Sequence, residues 1–179
     1  MSQATAGKLV SINPSNYQPV GEVEISTPEE IHEKVRKARE AQRIWADESI
    51  GQRVAVLRDA LAEFERRKDE IALLESREMG KPITVAKAEW ADQALFANWY
   101  LDNAEQCLAA ETTLDDDKEL HRVFRYPLGV AAVILPWNYP FLMFLWRVFP
   151  NLLAGNAVVL KHSEEVPLCG KLIEEVMHG

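Results

Sequence analysis

Val130-Ala131-Ala132-Val133-Ile134-Leu135-Pro136-Trp137-Asn138-Tyr139-Pro140 and Ala157-Val158-Val159-Leu160-Lys161-His162-Ser163-Glu164 are the stretches on which the fold of this chain turns. Val130 to Leu135 and Ala157 to Leu160 are short continuous apolar runs, as expected of strands buried on both faces. Between them Phe141 to Leu153 has helical length, Gly155-Asn156 supplies a turn, and Pro167 opens a last helix. Strand, helix, strand, helix predicts a parallel pair with a right-handed crossover, and so an α/β protein. In open sheets of this kind ligands bind beyond the carboxyl ends of the strands. Asn138 follows the first strand and Lys161 closes the second, so the topology brings both to one edge.

The chemistry at that edge has two readings. The Asn138 amide is a neutral donor that can be aimed at a developing oxyanion, with Pro136 and Pro140 stiffening its loop. Lys161 offers a cation and several donors to sugar hydroxyls, and Glu164 accepts from the same hydroxyls while repelling a phosphate. Alternatively, Asn138 caps the helix that starts at Tyr139, and Lys161 and Glu164 form a weak surface pair. Spacing alone leaves both open.

Upstream the pattern is helical. Ser11 to Ser26 reads as a hairpin, with Asn13-Pro14-Ser15-Asn16 as its turn and alternation from Val20 to Ile25. Thr27, Pro28 and Glu30 make a capping box and first turn for a helix whose apolar side carries Ile31, Val35, Ala38 and Trp45. Ser49 and Gln52 start a second helix, striped by Val54, Leu57, Leu61, Phe64 and Ile71 and stopped by Gly80 and Pro82. A third carries Trp90, Ala94, Ala97, Leu101, Ala104 and Leu108. These stripes are expected to face the core. Thr112 to Lys118, with its three adjacent aspartates, reads as a solvated loop rather than an oxygen cage for a cation.

A net charge of -8 disfavours nucleic acid and anionic membrane as partners. Tyr126 to Trp146 holds no charged residue, but its prolines and Asn138 fit strand, turn and helix better than a membrane span. Arg147 then closes the stretch, and a charge at mid-bilayer costs roughly 2.5–3.5 kcal/mol. Two cysteines without CxxC spacing fit a reducing compartment, and Met1 to Val10 lacks a signal-peptide core, so a cytoplasmic location is expected. Cys107 is read as structural packing, and Cys169, in the first turn of the last helix, as inert. His32, His121, His162 and His178 stand at no metal-ligand spacing, so no metal is expected.

Arg125-Tyr126-Pro127-Leu128-Gly129-Val130, Ile134-Leu135-Pro136-Trp137-Asn138-Tyr139-Pro140 and Leu153-Ala154-Gly155-Asn156-Ala157-Val158-Val159-Leu160-Lys161 resemble the aldehyde dehydrogenase superfamily. Ile12-Asn13-Pro14 and Arg77-Glu78-Met79-Gly80-Lys81-Pro82 match it as well, in order, over nearly the whole chain. The run Leu160-Lys161-His162-Ser163-Glu164-Glu165-Val166-Pro167-Leu168-Cys169 is most similar to the succinate-semialdehyde dehydrogenase branch.

The resemblance implies the N-terminal part of a Rossmann-type cofactor-binding domain, with a β-hairpin and three helices before a βαβ unit. It divides the chain into a hairpin and helical part (1–118), a strand segment like the family's oligomerisation arm (119–130) and the first βαβα portion of the dinucleotide sheet (131–179). Asn138 would be the oxyanion-hole side chain. Lys161, Ser163 and Glu164 would meet the cofactor, with Ile134, Leu135, Pro136 and Trp137 as its bed, and Tyr139, Met143 and Trp146 would line the aldehyde tunnel. Glu164 favours NAD, with NADP not excluded, because a 2′-phosphate would meet a carboxylate. The substrate would be a small aldehyde.

Two departures stand out. His162 occupies a position where many members have Pro, and Trp146 one where members acting on succinate semialdehyde tend to have Arg; Arg147 is about a quarter-turn away. The family's nucleophilic cysteine, glutamate base and Gly-rich turn belong to segments after Gly179, and no G-x-G-x-x-G occurs in this chain. The expectation is therefore a chain inactive alone, or a non-catalytic assembly or cofactor-binding module that pairs with a longer relative. The sheet edge left open predicts a homo-oligomer or element-swapped dimer.

Overall fold

The computed structural model describes residues 2–5 and 7–178, the side chain of Thr5 excepted. Three small sheets and six helices follow in the order β1 (Ser2–Thr5), β2 (Lys8–Ile12), β3 (Pro19–Glu24), α1 (Pro28–Asp47), α2 (Ile50–Arg66), α3 (Lys68–Met79), α4 (Ile83–Leu108), β4 (Glu111–Asp115), β5 (Leu120–Val123), β6 (Val130–Ile134), α5 (Pro140–Leu153), β7 (Ala157–Lys161) and α6 (Pro167–His178). β1, β2 and β3 form an antiparallel sheet, β4 and β5 an antiparallel hairpin, and β6 and β7 a parallel pair. The α/β reading and the parallel crossover both hold.

Local chemistry sets the helix starts. The Thr27 hydroxyl accepts from the Glu30 amide at 3.2 Å and the Glu30 carboxylate accepts from the Thr27 amide at 2.8 Å. Ser49 and Gln52 repeat the arrangement at α2. Each box satisfies amides that a helix N-terminus otherwise leaves unpaired.

Four helices, not three, precede the parallel pair. The long stripe expected from Ser49 to Gly80 breaks at Arg67, whose φ of -98° and ψ of 9° end α2. The Arg67 guanidinium binds Glu70 in the first turn of α3 and Glu175 of α6, so the bend is set by contacts made across the fold. The hairpin of β2 and β3 gains β1 as a third strand. Residues 112–115, expected to belong to the polar break at Thr112 to Lys118, lie in β4 instead. β5 falls in the strand segment expected from 119 onward, but β4 is exposed throughout and no alternation in the sequence betrays it. Beyond β4 the Asp116 carboxylate accepts from the amides of Lys118 and Glu119, closing a turn on itself.

The core is built by α2, α4, α5 and α6 around Phe64, Phe141, Phe144 and Phe149, with Val133 and Leu135 contributed from β6 and its exit. The stripe of α1 does not reach it: no residue of α1 is buried, and Ile31 is 47% exposed. α1 is tied instead to the start of β7, Trp45 Nε1 donating to the Leu152 carbonyl at 2.8 Å and Gln42 Nε2 to that of Gly155 at 3.0 Å. Gly155 has φ +86°, and a Cβ there would lie 2.4 Å from Nη1 of the buried Arg53. Only glycine satisfies both demands at the end of α5. Next to it, Asn156 Oδ1 accepts from the Gly129 amide at 3.0 Å and aligns the first residues of the two parallel strands. No helix among the described residues is long and apolar enough to cross a membrane.

Candidate functional site

β6 and β7 run in register from Val130 opposite Ala157 to Ile134 opposite Lys161, and the Leu135 amide donates to the Lys161 carbonyl at 3.1 Å. The turns after the two strands therefore leave the sheet side by side. One carries Pro136, Trp137, Asn138 and Tyr139, the other His162, Ser163 and Glu164.

Lys161 Nζ lies 2.6 Å from Glu164 Oε2, and both side chains are mostly in water. The ammonium keeps the Glu164 carboxyl below the ordinary carboxylate range, so it is charged at neutral pH. Such a pair adds little to stability by itself. Beside it stand apolar groups left uncovered: Ile134 is 74% exposed and Trp137 51%. Pro136 and Asn138 are exposed on the same turn. Tyr139 is the N-cap of α5, and among the described residues no side-chain capping bond is made at that helix start. The Asn138 amide is thus not engaged in capping α5.

Two of the expected cofactor-contacting residues, one from the bed and one from the turn after β7, are turned inward. Leu135 is buried in the core, and Ser163 is buried with its hydroxyl accepting from the Glu165 amide at 3.3 Å. Tyr139, Met143 and Trp146 share one face of the α5 region, spaced four and three residues apart. Met143 packs on the core, while Trp146 meets Phe96 of α4 edge-on at 5.0 Å between ring centres. Arg147 points to solvent.

His162 is tucked against α6. A Cβ on Gly170 would lie 2.9 Å from His162 Cβ and Cγ, so the histidine in this position leaves room only for glycine at 170. Burial holds the imidazole down at about 4, so it is neutral at physiological pH.

Of the cysteines, Cys169 is fully buried, and desolvation together with the neighbouring Glu78 raises its thiol well above the ordinary value. It has neither the access nor the acidity of a nucleophile. Cys107, expected to be packed, is exposed, because its position on α4 faces away from α2, α3 and α5.

A second group of functional-looking residues lies under the site. Glu78 is fully buried and accepts from the amides of Leu168 at 3.0 Å and Cys169 at 2.7 Å, the first turn of α6. Met79, Trp137, Pro14, Glu165 and Glu78 line a cleft of about 350 Å³. Glu75, Lys81 and Glu89 form a buried ionic cluster, with the Lys81 ammonium 4.6 Å from the centre of the Tyr139 ring. The available signal was the spacing of Ile71, Glu75 and Glu78, two acids on the stripe that faces the core. Among the described residues no group of three or more His, Cys, Asp or Glu is placed to hold a metal ion.

The sequence profile of the aldehyde dehydrogenase family matches residues 1–179. The chain belongs to the aldehyde dehydrogenase family. It is 34% identical over 180 residues to the succinate semialdehyde dehydrogenase (NAD(P)+) Sad of Escherichia coli (strain K12), covering 98% of this chain and 38% of that protein. A 3,6-anhydro-alpha-L-galactose dehydrogenase of Streptomyces coelicolor is 39% identical over 165 residues, covering 90% of this chain and 33% of that protein. The crystal structure of a succinate-semialdehyde dehydrogenase from Burkholderia pseudomallei superposes with a TM-score of 0.88 at 28% identity, over 96% of this chain and 36% of that one. An aldehyde dehydrogenase from Brucella melitensis gives a TM-score of 0.90 at 26% identity, over 99% of this chain and 37% of that one. This aldehyde dehydrogenase chain thus spans little more than a third of the length of the relatives it matches.

Proposed function

We propose that this chain supplies the oxyanion donor and the ribose-binding edge of an NAD(P)-dependent aldehyde oxidoreductase. The observation that carries the reading is the parallel register of β6 and β7, which sets the exposed Asn138 turn and the Lys161–Glu164 pair beyond one sheet edge. The edge fits a dinucleotide. Ile134 and Trp137 offer uncovered apolar surface, and Lys161 and Glu164 offer a donor and an acceptor to vicinal hydroxyls. Bound there, the cofactor supplies a hydride acceptor. Glu164, charged at neutral pH, favours NAD over NADP by repelling a 2′-phosphate. Asn138 would donate to the oxygen of the aldehyde as negative charge develops on it, in a loop held between two prolines. Tyr139, Met143 and Trp146 would line the approach of a small aldehyde, with succinate semialdehyde the first candidate on the strength of the relatives. The buried Cys169 and exposed Cys107 leave this stretch without a cysteine nucleophile at the edge, so the 179 residues are expected to bind rather than turn over. We place the protein in the cytoplasm.

Titration of the purified chain with NAD, followed by tryptophan fluorescence, tests this. Saturable quenching through Trp137 is expected, weakened at least about tenfold in Lys161→Ala, because a charge-assisted hydrogen bond is worth roughly 1.5–3 kcal/mol. Equal response in both proteins would refute the ribose assignment.

A second reading, assembly with another copy or a longer relative, is favoured by one observation. On and after the β4–β5 hairpin, Leu120, Val123, Phe124, Tyr126 and Leu128 are all exposed, Leu128 at 98%. Light scattering at micromolar concentration is expected to show a dimer or higher species. A stable monomer would remove this reading.

A further inference from the structure

We propose that Lys81 is a positioning residue for the Pro136–Pro140 turn, holding the Tyr139 ring, and with it Asn138, from beneath. Gly80 makes this possible. It ends α3 in the left-handed region at φ +76°, and Pro82 is the N-cap of α4, so residue 81 lies at the corner between two helices. From that corner the Lys81 side chain is only 9% exposed. Its ammonium lies 2.5 Å from Glu89 of α4 and 3.4 Å from Glu75 of α3, and 4.6 Å from the centre of the Tyr139 ring at the N-cap of α5. That distance is within the range of a cation–π contact, for which the limit is about 6 Å. One ammonium therefore joins three helices, and only its contact with Tyr139 reaches the candidate site. The consequence for chemistry rests on reading Asn138 as the oxyanion donor; the positioning itself does not.

The two carboxylates divide the work unequally. Glu89 is partly open to solvent, whereas Glu75 is buried and its Oε1 has no partner. Around Glu75 stand Glu78 on its own helix, Lys81 at the corner, Glu89 from α4 and the Cys169 thiol from α6. Burial outweighs the pull of Lys81 and pushes the Glu75 carboxyl up to about 7. Below that pH Glu89 is the only one of the two carboxyls to carry charge beside Lys81. Above it a second anion stands 3.4 Å from the ammonium that faces the Tyr139 ring, so the charge beneath that ring changes. The support under the turn therefore changes as pH crosses neutrality.

The test needs no ligand. With ring-labelled tyrosine, the chain gives four tyrosine signals, and Tyr139→Phe assigns the one that matters. We expect the Tyr139 ring shift to follow pH with a midpoint near 7, where Glu75 titrates, while exposed Tyr17 and Tyr126 do not. Glu75→Gln should abolish that step, Lys81→Met should move the Tyr139 signal and abolish the step, and Lys81→Arg should restore the signal towards its original place. A Tyr139 signal that is flat from pH 5 to 9, or unchanged between the parent chain and Glu75→Gln, would overturn the proposal even if Lys81→Met failed to fold. Loss of the NAD response with the tyrosine result intact would instead count against the cofactor-edge reading alone.

Discussion

Phe144→Ala is expected to lower the stability of this chain by about 3–5 kcal/mol, the range for truncating a buried phenylalanine. Phe144 is 2% exposed, and its ring lies 5.6 Å from that of Phe64 and 6.1 Å from that of Phe149, centre to centre. Phe64 in turn meets Phe141 edge-on at 6.2 Å. The four rings come from α2 and α5, so removing the central one opens a void where neither helix can close without moving the other. Edge-to-face contacts add roughly 0.5–1.5 kcal/mol per pair beyond area. Urea unfolding should show a lower midpoint with an unchanged slope. A loss below about 1 kcal/mol would mean that the helices collapse onto the gap and that the rings are not interlocked. Because α5 carries Tyr139 at its start, the same variant should weaken NAD binding if the cofactor-edge reading is right.

Glu78→Ala is expected to cost about 2–4 kcal/mol by a different route. Its carboxylate accepts from the amides of Leu168 and Cys169, the open end of the α6 hydrogen-bond ladder, yet it comes from α3, ninety residues earlier. A negative group at a helix N-terminus is favourable, and an unpaired buried amide costs about 1–3 kcal/mol. Alanine leaves two such amides beside the fully buried Cys169. Glu78→Gln keeps one acceptor and should lose less. The pH dependence has a definite sign. Burial raises the Glu78 carboxyl above its ordinary 4.5, the amide donors only partly opposing it. The folded state therefore holds this proton to higher pH than the unfolded state, and the group's contribution is greatest below 4.5 and declines as pH rises through its folded value. Melting curves from pH 4 upward should show that decline as the difference between the parent and Glu78→Gln, since carboxyls held low by ion pairs, such as Glu70 and Glu164, act in the opposite direction in both proteins. Identical profiles would show that Glu78 does not titrate as its burial requires.

The parts of this fold legible in the sequence are those set over short distances. Thr27 with Glu30 and Ser49 with Gln52 mark their helix starts because a capping box is completed within four residues. Val130 to Leu135 and Ala157 to Leu160 mark the two parallel strands because each run is continuously apolar. The expected burial on both faces does not hold: of β6 only Val133 is buried, Ile134 is 74% exposed, and no residue of β7 is buried, because the pair has no further strand beside it among the described residues. From those runs alone follow the parallel pair, the shared edge and the candidacy of Asn138 and Lys161.

Other features were silent for reasons equally physical. β4 has both faces in water, so backbone pairing with β5 makes it a strand and no side-chain period records it. The stripe of α1 is real, but whether a stripe is buried depends on what packs against it, and α1 meets chiefly the start of β7. Arg67 bends the helical run because its partners are Glu70 and the distant Glu175. The inward turn of Leu135 and Ser163 could not be read from their place in the edge motif. The spacing of Glu75 and Glu78 places them on the core-facing stripe, but only enclosure by α3, α4 and α6 makes Glu78 a cap, Lys81 a brace and Glu75 a group that titrates near neutrality. By itself the sequence determined which segments start as helices or run as apolar strands and which edge collects the polar groups, since capping and apolar runs act between near neighbours. Only the tertiary structure decided which charges are buried and what they hold, because desolvation and long-range pairing depend on elements that meet from opposite ends of the chain.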